Sequence, residues 1–466
     1  MKLTLLWTDG MVWILMVALL VWGSIVLRSP QVRKQWHRIF QSSLAMASAI
    51  ILLFYLFFAL LDSVHLRLQV EKGIQADNTS STSLVYRGEM VSLLDLLFSH
   101  TLKHPERTYS APFATHEYTQ STIVDAKGQT RQVYLPLKSV SLSKTESRGR
   151  EIAIKSFWAM LLGLGVSALL IITPLLLTVK GAWRTTLYRV WRGESRLPWR
   201  TAFITLIILV TSFMWLYLLS DEYHVLGTDK VGGDVFYQSL KSIRTGVLIG
   251  ILTTLVMLPV SIVLGISAGF FGGWIDDAIQ YLYTTLNSIP GVLLIAGAVL
   301  VMQVMMDTHP QWFETTLERS DLRLLFLILI LGMTSWTGLC RLLRAETLKI
   351  SQVAFVTAAK AFGVSKTKIL FRHIMPNLMH IILISVVLDF SALVLAEAVL
   401  SYVGVGVDPT MYSWGNMINQ ARLEMAREPM VWWSLFSAFL FMFILVLSAN
   451  LLSDRIQKVL DPRSRI

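Results

Sequence analysis

The chain is poor in charge and almost without cysteine. Only 15% of its 466 residues are Asp, Glu, Lys or Arg, where an ordinary soluble domain carries about 25%. With 54% hydrophobic residues and a mean hydropathy of +0.59, water cannot wet the apolar surface and a soluble core cannot absorb it. Length alone would allow three soluble domains at about 150 residues each, but composition overrules that prior. It excludes an intrinsically disordered chain for the same reason. The single cysteine, Cys340, excludes an internal disulfide framework and any cysteine cluster for zinc or iron–sulfur. Its place in an apolar run marks it as an inert core residue. Nor is there a phosphate-cradling Gly-x-x-x-x-Gly-Lys-[Ser/Thr] segment: Gly363-Val364-Ser365-Lys366-Thr367 lacks the first glycine and the Gly-Lys pair. The nine histidines show no metal-ligand spacing, and no serine nucleophile or carboxylate pair reads as a catalytic centre. What remains is a net charge of +11, which in so apolar a chain points to membrane orientation and not to nucleic acid. The reading is an integral membrane protein, with no cofactor and no metal.

A bilayer core of about 30 Å needs roughly 20 apolar residues as helix. Nine such spans are expected, near 11–28, 43–63, 156–179, 201–220, 245–268, 281–305, 324–342, 379–400 and 431–452. The first resembles a secretory signal in outline, but Arg28, Arg33, Lys34 and Arg38 follow it without a clean cleavage site, so it is expected to stay as an anchor. Lys and Arg in short loops set orientation. They gather after span one, after span three (Lys180, Arg184, Arg189, Arg192, Arg196, Arg200), between spans seven and eight, and in the tail. That alternation places the N-terminus in the periplasm and the C-terminus in the cytoplasm. The connection holding Asp276 and Asp277 gives it no support.

Between spans two and three lie about 90 residues rich in Ser, Thr, Gln and charge. Ser121–Leu137 alternates apolar and polar residues around Asp125-Ala126-Lys127-Gly128, the pattern of a β-hairpin. Leu93–Leu97 reads as a short interfacial helix. Trp432-Trp433 and the Trp191/Trp199 pair read as anchors of span ends at the interface.

The stretch from Arg341 to Asn377 reads RLLRAETLKISQVAFVTAAKAFGVSKTKILFRHIMPN. Up to Phe362 it suits an amphipathic helix. Gly363 permits a backbone angle that other residues resist. Ser365 can cap a second short helix carrying Ile369, Leu370 and Ile374 inward, and Pro376 can open the next span. Two short helices joined by a bend can be an interfacial element on anionic lipid or a protein-docking element; the residues alone leave both open.

In this loop the chain resembles a known family. Thr357-Ala358-Ala359, Gly363 and Ile374-Met375-Pro376 resemble the "EAA…G…I-LP" loop of the membrane subunits of binding-protein-dependent ABC importers. Four further segments narrow the resemblance to the C-type permease of dipeptide and oligopeptide importers. Leu226-Gly227-Thr228-Asp229-Lys230-Val231-Gly232-Gly233-Asp234 resembles its LGTDxxGRD segment, and Ala268-Gly269-Phe270-Phe271-Gly272-Gly273-Trp274 its AGYFGGW turn. Leu400-Ser401-Tyr402-Val403-Gly404-Val405-Gly406 with Ser413-Trp414-Gly415 resembles its LSFLGLG…SWG block, and Asp461-Pro462-Arg463 its DPR tail. The matches run from about 223 to 466 in family order. Thr357 departs from the usual Glu and Gly233 from the usual Arg. Three spans and the insert lie outside the family's usual length.

The spans and the insert read from composition give an all-α membrane protein of about nine helices with a small extracytoplasmic insert. The resemblance implies a six-helix permease core on its C-terminal side. The chain's expected parts are two N-terminal helices (1–64), a periplasmic domain (65–155), a third accessory helix with a basic linker (156–199) and a six-helix permease core (200–466). The resemblance implies half of a translocation path, paired with a second, B-type permease and driven by two cytoplasmic ATPase subunits. An extracytoplasmic binding protein delivers the substrate. The coupling loop (344–377) then contacts the ATPases through Thr357, Ala358, Ala359, Gly363, Ser365, Arg372, Ile374 and Pro376. In the periplasmic segment the family residues are Gly227, Thr228, Asp229, Gly232 and Asp234; in the later block they are Gly404, Gly406, Trp414 and Gly415. Asp389 and Glu397 lie about 80° apart around span eight, so both can face one lumen, and carboxylates in lipid are functional candidates. The alternatives are a proton-coupled secondary carrier working through those two acids, or a membrane-anchored sensor using the insert.

Overall fold

Apolar runs of membrane length can satisfy their backbone in lipid only as helices or closed barrels, and the computed structural model of this chain is built of helices. It describes residues 2–4, 6–69, 86–103, 105–124, 130–138, 148–178, 183–313 and 315–460. Strand β1 (Lys2–Thr4) leads into α1 (Trp7–Arg28), α2 (Pro30–Ile39) and α3 (Ser43–Asp62). The insert carries β2 (His65–Gln69), β3 (Tyr86–Ser92), α4 (Leu93–Leu97), α5 (Ser99–Lys103), β4 (Ser121–Val124) and β5 (Thr130–Val133). Then come α6 (Arg148–Thr178), α7 (Trp183–Arg192), α8 (Trp199–Leu219), α9 (Val235–Phe271), α10 (Gly273–Ser288) and α11 (Gly291–Thr308). The chain continues through α12 (Thr316–Ser335), α13 (Thr337–Ser351), α14 (Ala354–Ala361), α15 (Lys366–Ile369), α16 (Met375–Val403), α17 (Trp414–Glu424) and α18 (Trp433–Leu460).

Eight helical stretches among the described residues are long and apolar enough to cross a bilayer. With α1, whose apolar stretch Trp7–Val21 is shorter, they stand at the nine expected places. One boundary needs correction. The span expected at 281–305 is broken at Ile289, which is extended (φ −90°, ψ 131°) ahead of Pro290. The pyrrolidine ring crowds the preceding residue out of helical conformation. Residues 281–288 therefore close the amphipathic α10, and the membrane-length helix is α11.

The chain divides into two compact units, residues 1–246 with 412–448, and 247–411 with 449–466. In the first, α8 packs against α3 and α6. Aromatic rings knit the packing, Phe58 to Phe213 at 4.8 Å and Phe98 to Tyr217 at 5.3 Å, in tilted and edge-on geometries that suit the ring quadrupoles. Strands β1, β2 and β3 form an antiparallel sheet in that order, with Leu3 opposite Leu66 and Leu66 opposite Val91. Sequence pattern did not foresee β1, because three residues carry no readable period. The expected hairpin is present as β4 and β5, Ser121 opposite Val133; its turn, Asp125-Ala126-Lys127-Gly128, lies outside the described residues, as does the Asp461-Pro462-Arg463 tail. The expected Leu93–Leu97 helix is α4, capped by reciprocal bonds between Ser92 and Asp95 at 3.0 and 3.1 Å, a capping box.

The same unit buries charge. Arg244 on α9 donates to Asp9 Oδ1 at 2.7 Å and to Thr8 Oγ1 at 2.9 Å, and His65 Nδ1 lies 2.8 Å from the other oxygen of Asp9. One helical turn before Arg244, Lys241 pairs with Asp95, which also accepts from Tyr237 Oη at 2.6 Å. Burial acts to raise the Asp95 carboxyl, but the Lys241 charge and the bonds from Lys241, Tyr237 and Ser92 hold it below the usual range.

In the second unit the C-terminal half of α9 packs with α13, α14 and α16 around Ile266, Leu339, Cys340, Leu343, Val356 and Ile374. Cys340 is buried in this core, as expected. Arg344 on α13 holds Asp276 on α10 at 2.7 Å, and that bond first of all keeps the carboxyl low.

Removing one partner of a buried ion pair strands the other charge and costs about 3–5 kcal/mol. Asp9→Leu should therefore sharply lower the unfolding temperature and folded yield of the purified protein, and Asp9→Leu with Arg244→Met should recover most of that loss. Unfolding curves of the three proteins check this; unchanged stability of Asp9→Leu would show that the pair does not hold the segment.

Candidate functional site

The loop after α13 is built from the core outward. Val356 is fully buried and Ala359 is 9% exposed, while Phe355 and Phe362 on the other side of α14 are 44% and 86% exposed. The helix ends in a Schellman motif: Gly363 N donates to Lys360 O at 3.0 Å and Val364 N to Ala359 O at 3.1 Å. Its pivot, Gly363, has φ +72°, which a side chain resists. Val364 closes the motif against the core. Lys360 lies over the Phe270 ring at 5.2 Å and Lys366 over Phe271 at 5.9 Å, so cation–π contacts fasten the loop to the end of α9.

Three expectations about this loop change. Ser365 precedes α15 but makes no capping bond from its side chain. The second short helix is also not separate: α15 runs through a π-helical turn, Leu370–Ile374, straight into α16, with Pro376 in the first turn of α16. Ile369 and Ile374 are buried, as expected, and Leu370 is half-buried. Thr357, Ala358, Gly363, Ser365 and Arg372 are exposed. Ala359, expected to approach a partner, faces the chain's own core instead.

The segment 223–234 is covered by the insert. Thr228 N donates to Ser110 O at 3.1 Å, its hydroxyl accepts from Ser110 N at 2.6 Å, and its carbonyl accepts from Trp433 Nε1 at 2.9 Å. Gly227 lies between Ser110 and Trp433, and a Cβ on Gly232 would stand 2.0 Å from Glu106 O, so no side chain fits there. Trp433 is thus an interior clamp, only 2% exposed, and not the interfacial anchor expected; Trp432 is exposed. Asp229 accepts from Val231 N at 3.0 Å, Gly233 N at 2.7 Å and Gln238 Nε2 at 2.6 Å. A Cβ at Gly233 would lie 2.7 Å from Gln238 Nε2, so Gln238 occupies the room an arginine there would need.

Asp234 caps α9 by accepting from Tyr237 N at 2.9 Å and binds His224 Nδ1 at 2.8 Å; His224 Nε2 faces Glu106 at 3.8 Å. Burial acts to lower the His224 pKa, but the bond to Asp234 and the charges of Asp234 and Glu106 push it up to about 9. The shift favours a charged His224 as the buried cation of this segment, Lys230 being exposed.

The carboxylates of α16 do not share one environment. Glu397 is fully buried and accepts from Ser401 Oγ at 2.7 Å, and that hydroxyl accepts from Val407 N at 3.2 Å. The pair fixes the turn at Gly404 and Gly406 that ends α16, where Gly406 leaves only 2.1 Å between its Cβ position and Ser401 Oγ. Asp389 is half-buried. In the other unit, Trp414 is buried and donates from Nε1 to Ser239 O at 3.1 Å, and Gly415 beside it is buried. Sequence reading missed Asp9, Arg244, Glu106 and His224. The signal existed for the first two, since a charge at the edge of an apolar run needs a partner; spans drawn from 11 and 245 left both just outside.

The family described as "Binding-protein-dependent transport system inner membrane component" matches residues 261–466. The oligopeptide transport system permease protein OppC of Mycobacterium bovis is 31% identical over 242 residues, covering 52% of this chain and 77% of that protein. The glutathione transport system permease protein GsiD of Pectobacterium atrosepticum is 31% identical over 240 residues, 52% and 73% of the two chains. The dipeptide transport system permease protein DppC of Bacillus subtilis is 28% identical over 242 residues, 52% and 69%. A solved structure of the MetNI methionine ABC transporter in inward-facing conformations covers 47% of this chain and 93% of that one at 16% identity, with a TM-score of 0.35, too low to carry an argument.

A histidine whose pKa rises from 6.5 to about 9 on folding adds stability that is complete below pH 6.5 and is lost as pH rises through 9. The unfolding temperature should therefore fall between about pH 7 and pH 9.5, and His224→Gln should flatten that fall. Parallel slopes for the parent and His224→Gln would remove His224 from the account.

Proposed function

Because the chain belongs to the family of inner-membrane components of binding-protein-dependent transport systems, we propose that it forms half of the translocation path of an ATP-driven importer for peptides or a related small solute. The chain is a multi-pass integral membrane permease subunit and not itself an enzyme, ATP hydrolysis belonging to separate subunits. Its partners on this reading are a second, B-type permease, two cytoplasmic ATPases and an extracytoplasmic binding protein. The peptide class is supported by relatives named for oligopeptides, dipeptides and glutathione. Residues 200–466 form the six-helix core, and 1–199 complete its extracytoplasmic end through Asp9 and Asp95.

One observation carries the mechanism: α14 presents Phe355, Ala358 and Phe362 outward while Val356 and Ala359 lock it inward. A short rigid helix of this kind, lodged in a groove on an ATPase, moves with the closing ATPases and passes that motion to α13 and α16, to which it is joined. No observation favours a proton-coupled carrier, since Glu397 is committed to Ser401.

The outward face chooses the test. Ala359→Glu would bury a charge in the chain's own core and so cannot separate docking from folding. Ala358→Glu leaves that core intact, and Gly363→Pro fixes φ at about −65° and removes the N–H of the Schellman motif. Ala358→Glu should reach normal abundance, and both variants, compared per folded permease, should lose at least about tenfold in co-purified ATPase or in uptake. An interfacial helix would keep attachment and uptake in both, and that result would remove the loop from the mechanism.

Orientation follows from the basic loops. A reporter fused after Thr115 should read as periplasmic and one after Ser195 as cytoplasmic; a cytoplasmic signal at Thr115 would overturn the topology.

A further inference from the structure

Helices α6, α7 and α8 enclose a groove of about 570 Å³, within the roughly 300–1,000 Å³ of ligand pockets. Its walls are Leu164 and Ile171 of α6 and Phe203 and Ile207 of α8. Ser167, a hydroxyl within it, is already bonded to Leu164 O at 2.9 Å, so the interior offers nothing to a polar solute. The rim is different. It is formed by Arg184, Tyr188 and Trp191 of α7, a ten-residue helix without an acidic residue.

We propose that this groove binds an anionic phospholipid, one acyl chain along the apolar walls and the phosphate at Arg184. Two membrane-length helices, α6 and α8, supply walls that suit an acyl chain. Tyr and Trp at the rim suit headgroup depth, and the planar guanidinium of Arg184 matches a phosphate. The linker that carries it also holds Arg189, Arg192, Arg196 and Arg200 against one acid, Glu194. Arg192 lies over the Tyr188 ring at 4.5 Å and Arg200 over Trp191 at 6.0 Å, so the cationic cluster is held at the groove's mouth. A zwitterionic lipid would bring its own ammonium to that rim, whereas an anionic headgroup meets a net positive one, as in basic pockets between membrane helices.

The test uses the full-length protein in detergent with dioleoylphosphatidylglycerol, dioleoylphosphatidylcholine, and glycerol phosphate without acyl chains, read by native mass spectrometry. The parent should retain one phosphatidylglycerol per chain about tenfold more tightly than phosphatidylcholine. Arg184→Gln, on the exposed rim, should weaken phosphatidylglycerol about tenfold, the loss of one charge-assisted hydrogen bond, and leave phosphatidylcholine unchanged. Ala168→Trp fills the groove without changing charge and should abolish the site for both. Equal retention of the two lipids by the parent, phosphatidylglycerol binding unaffected by Arg184→Gln, or displacement of the lipid by glycerol phosphate alone would each overturn the proposal.

Discussion

An arginine cannot shed its proton to escape burial, so Arg244 obliges the chain to bring it a carboxylate. Asp9, on the first turn of α1, supplies it at 2.7 Å. The rest of this end of the first unit follows as a closed circuit. His65, which bonds the other Asp9 oxygen, begins β2; β2 pairs β1 on one side and β3 on the other; β3 runs directly into α4, whose Asp95 takes Lys241, one turn from Arg244. In lipid, apolar burial gives helices little reason to associate. Ion pairs and hydrogen bonds of this kind then decide which helices stay together.

The insert completes that arrangement over the segment from His224 to Asp234. Backbone bonds from Glu106 and Ser110 meet Gly232 and Thr228, and His224 carries a positive charge between Asp234 and Glu106. The family's usual arginine is absent at Gly233. Asp229 is served instead by two backbone N–H groups and Gln238, and Asp234 by His224. Glu106 O closes on Gly232, while Gln238 fills the space beside Gly233.

Much of this was legible in the residues, for reasons that differ by feature. The loop around Gly363 was, because a Schellman end needs a glycine there and an apolar residue after it, and Val364 supplies the latter. Long apolar spans were, because lipid leaves few alternatives to helix. The break at Pro290 was passed over by drawing the span from 281, although Thr284, Thr285, Asn287, Ser288 and the proline itself marked the position. Which way Ala359 faces was not legible, since small residues suit both a partner groove and a tight core. Trp433 looked like an interfacial anchor because tryptophan serves there so often, and nothing local reveals that Thr228, far earlier in the chain, accepts its N–H. Long-range pairs such as Asp9 with Arg244 leave no periodic trace at all.

Residues before the family-like core and the start of α9 form one folded end, held by buried charge. Producing residues 198–466 alone, and again with residues 1–197 supplied as a separate polypeptide, tests it most directly by abundance in the membrane. The core fragment should be scarce alone, because Arg244 and Lys241 lose Asp9 and Asp95, and should recover and co-purify with the separate N-terminal polypeptide. Full abundance of the core fragment alone, with no association when both are present, would contradict this.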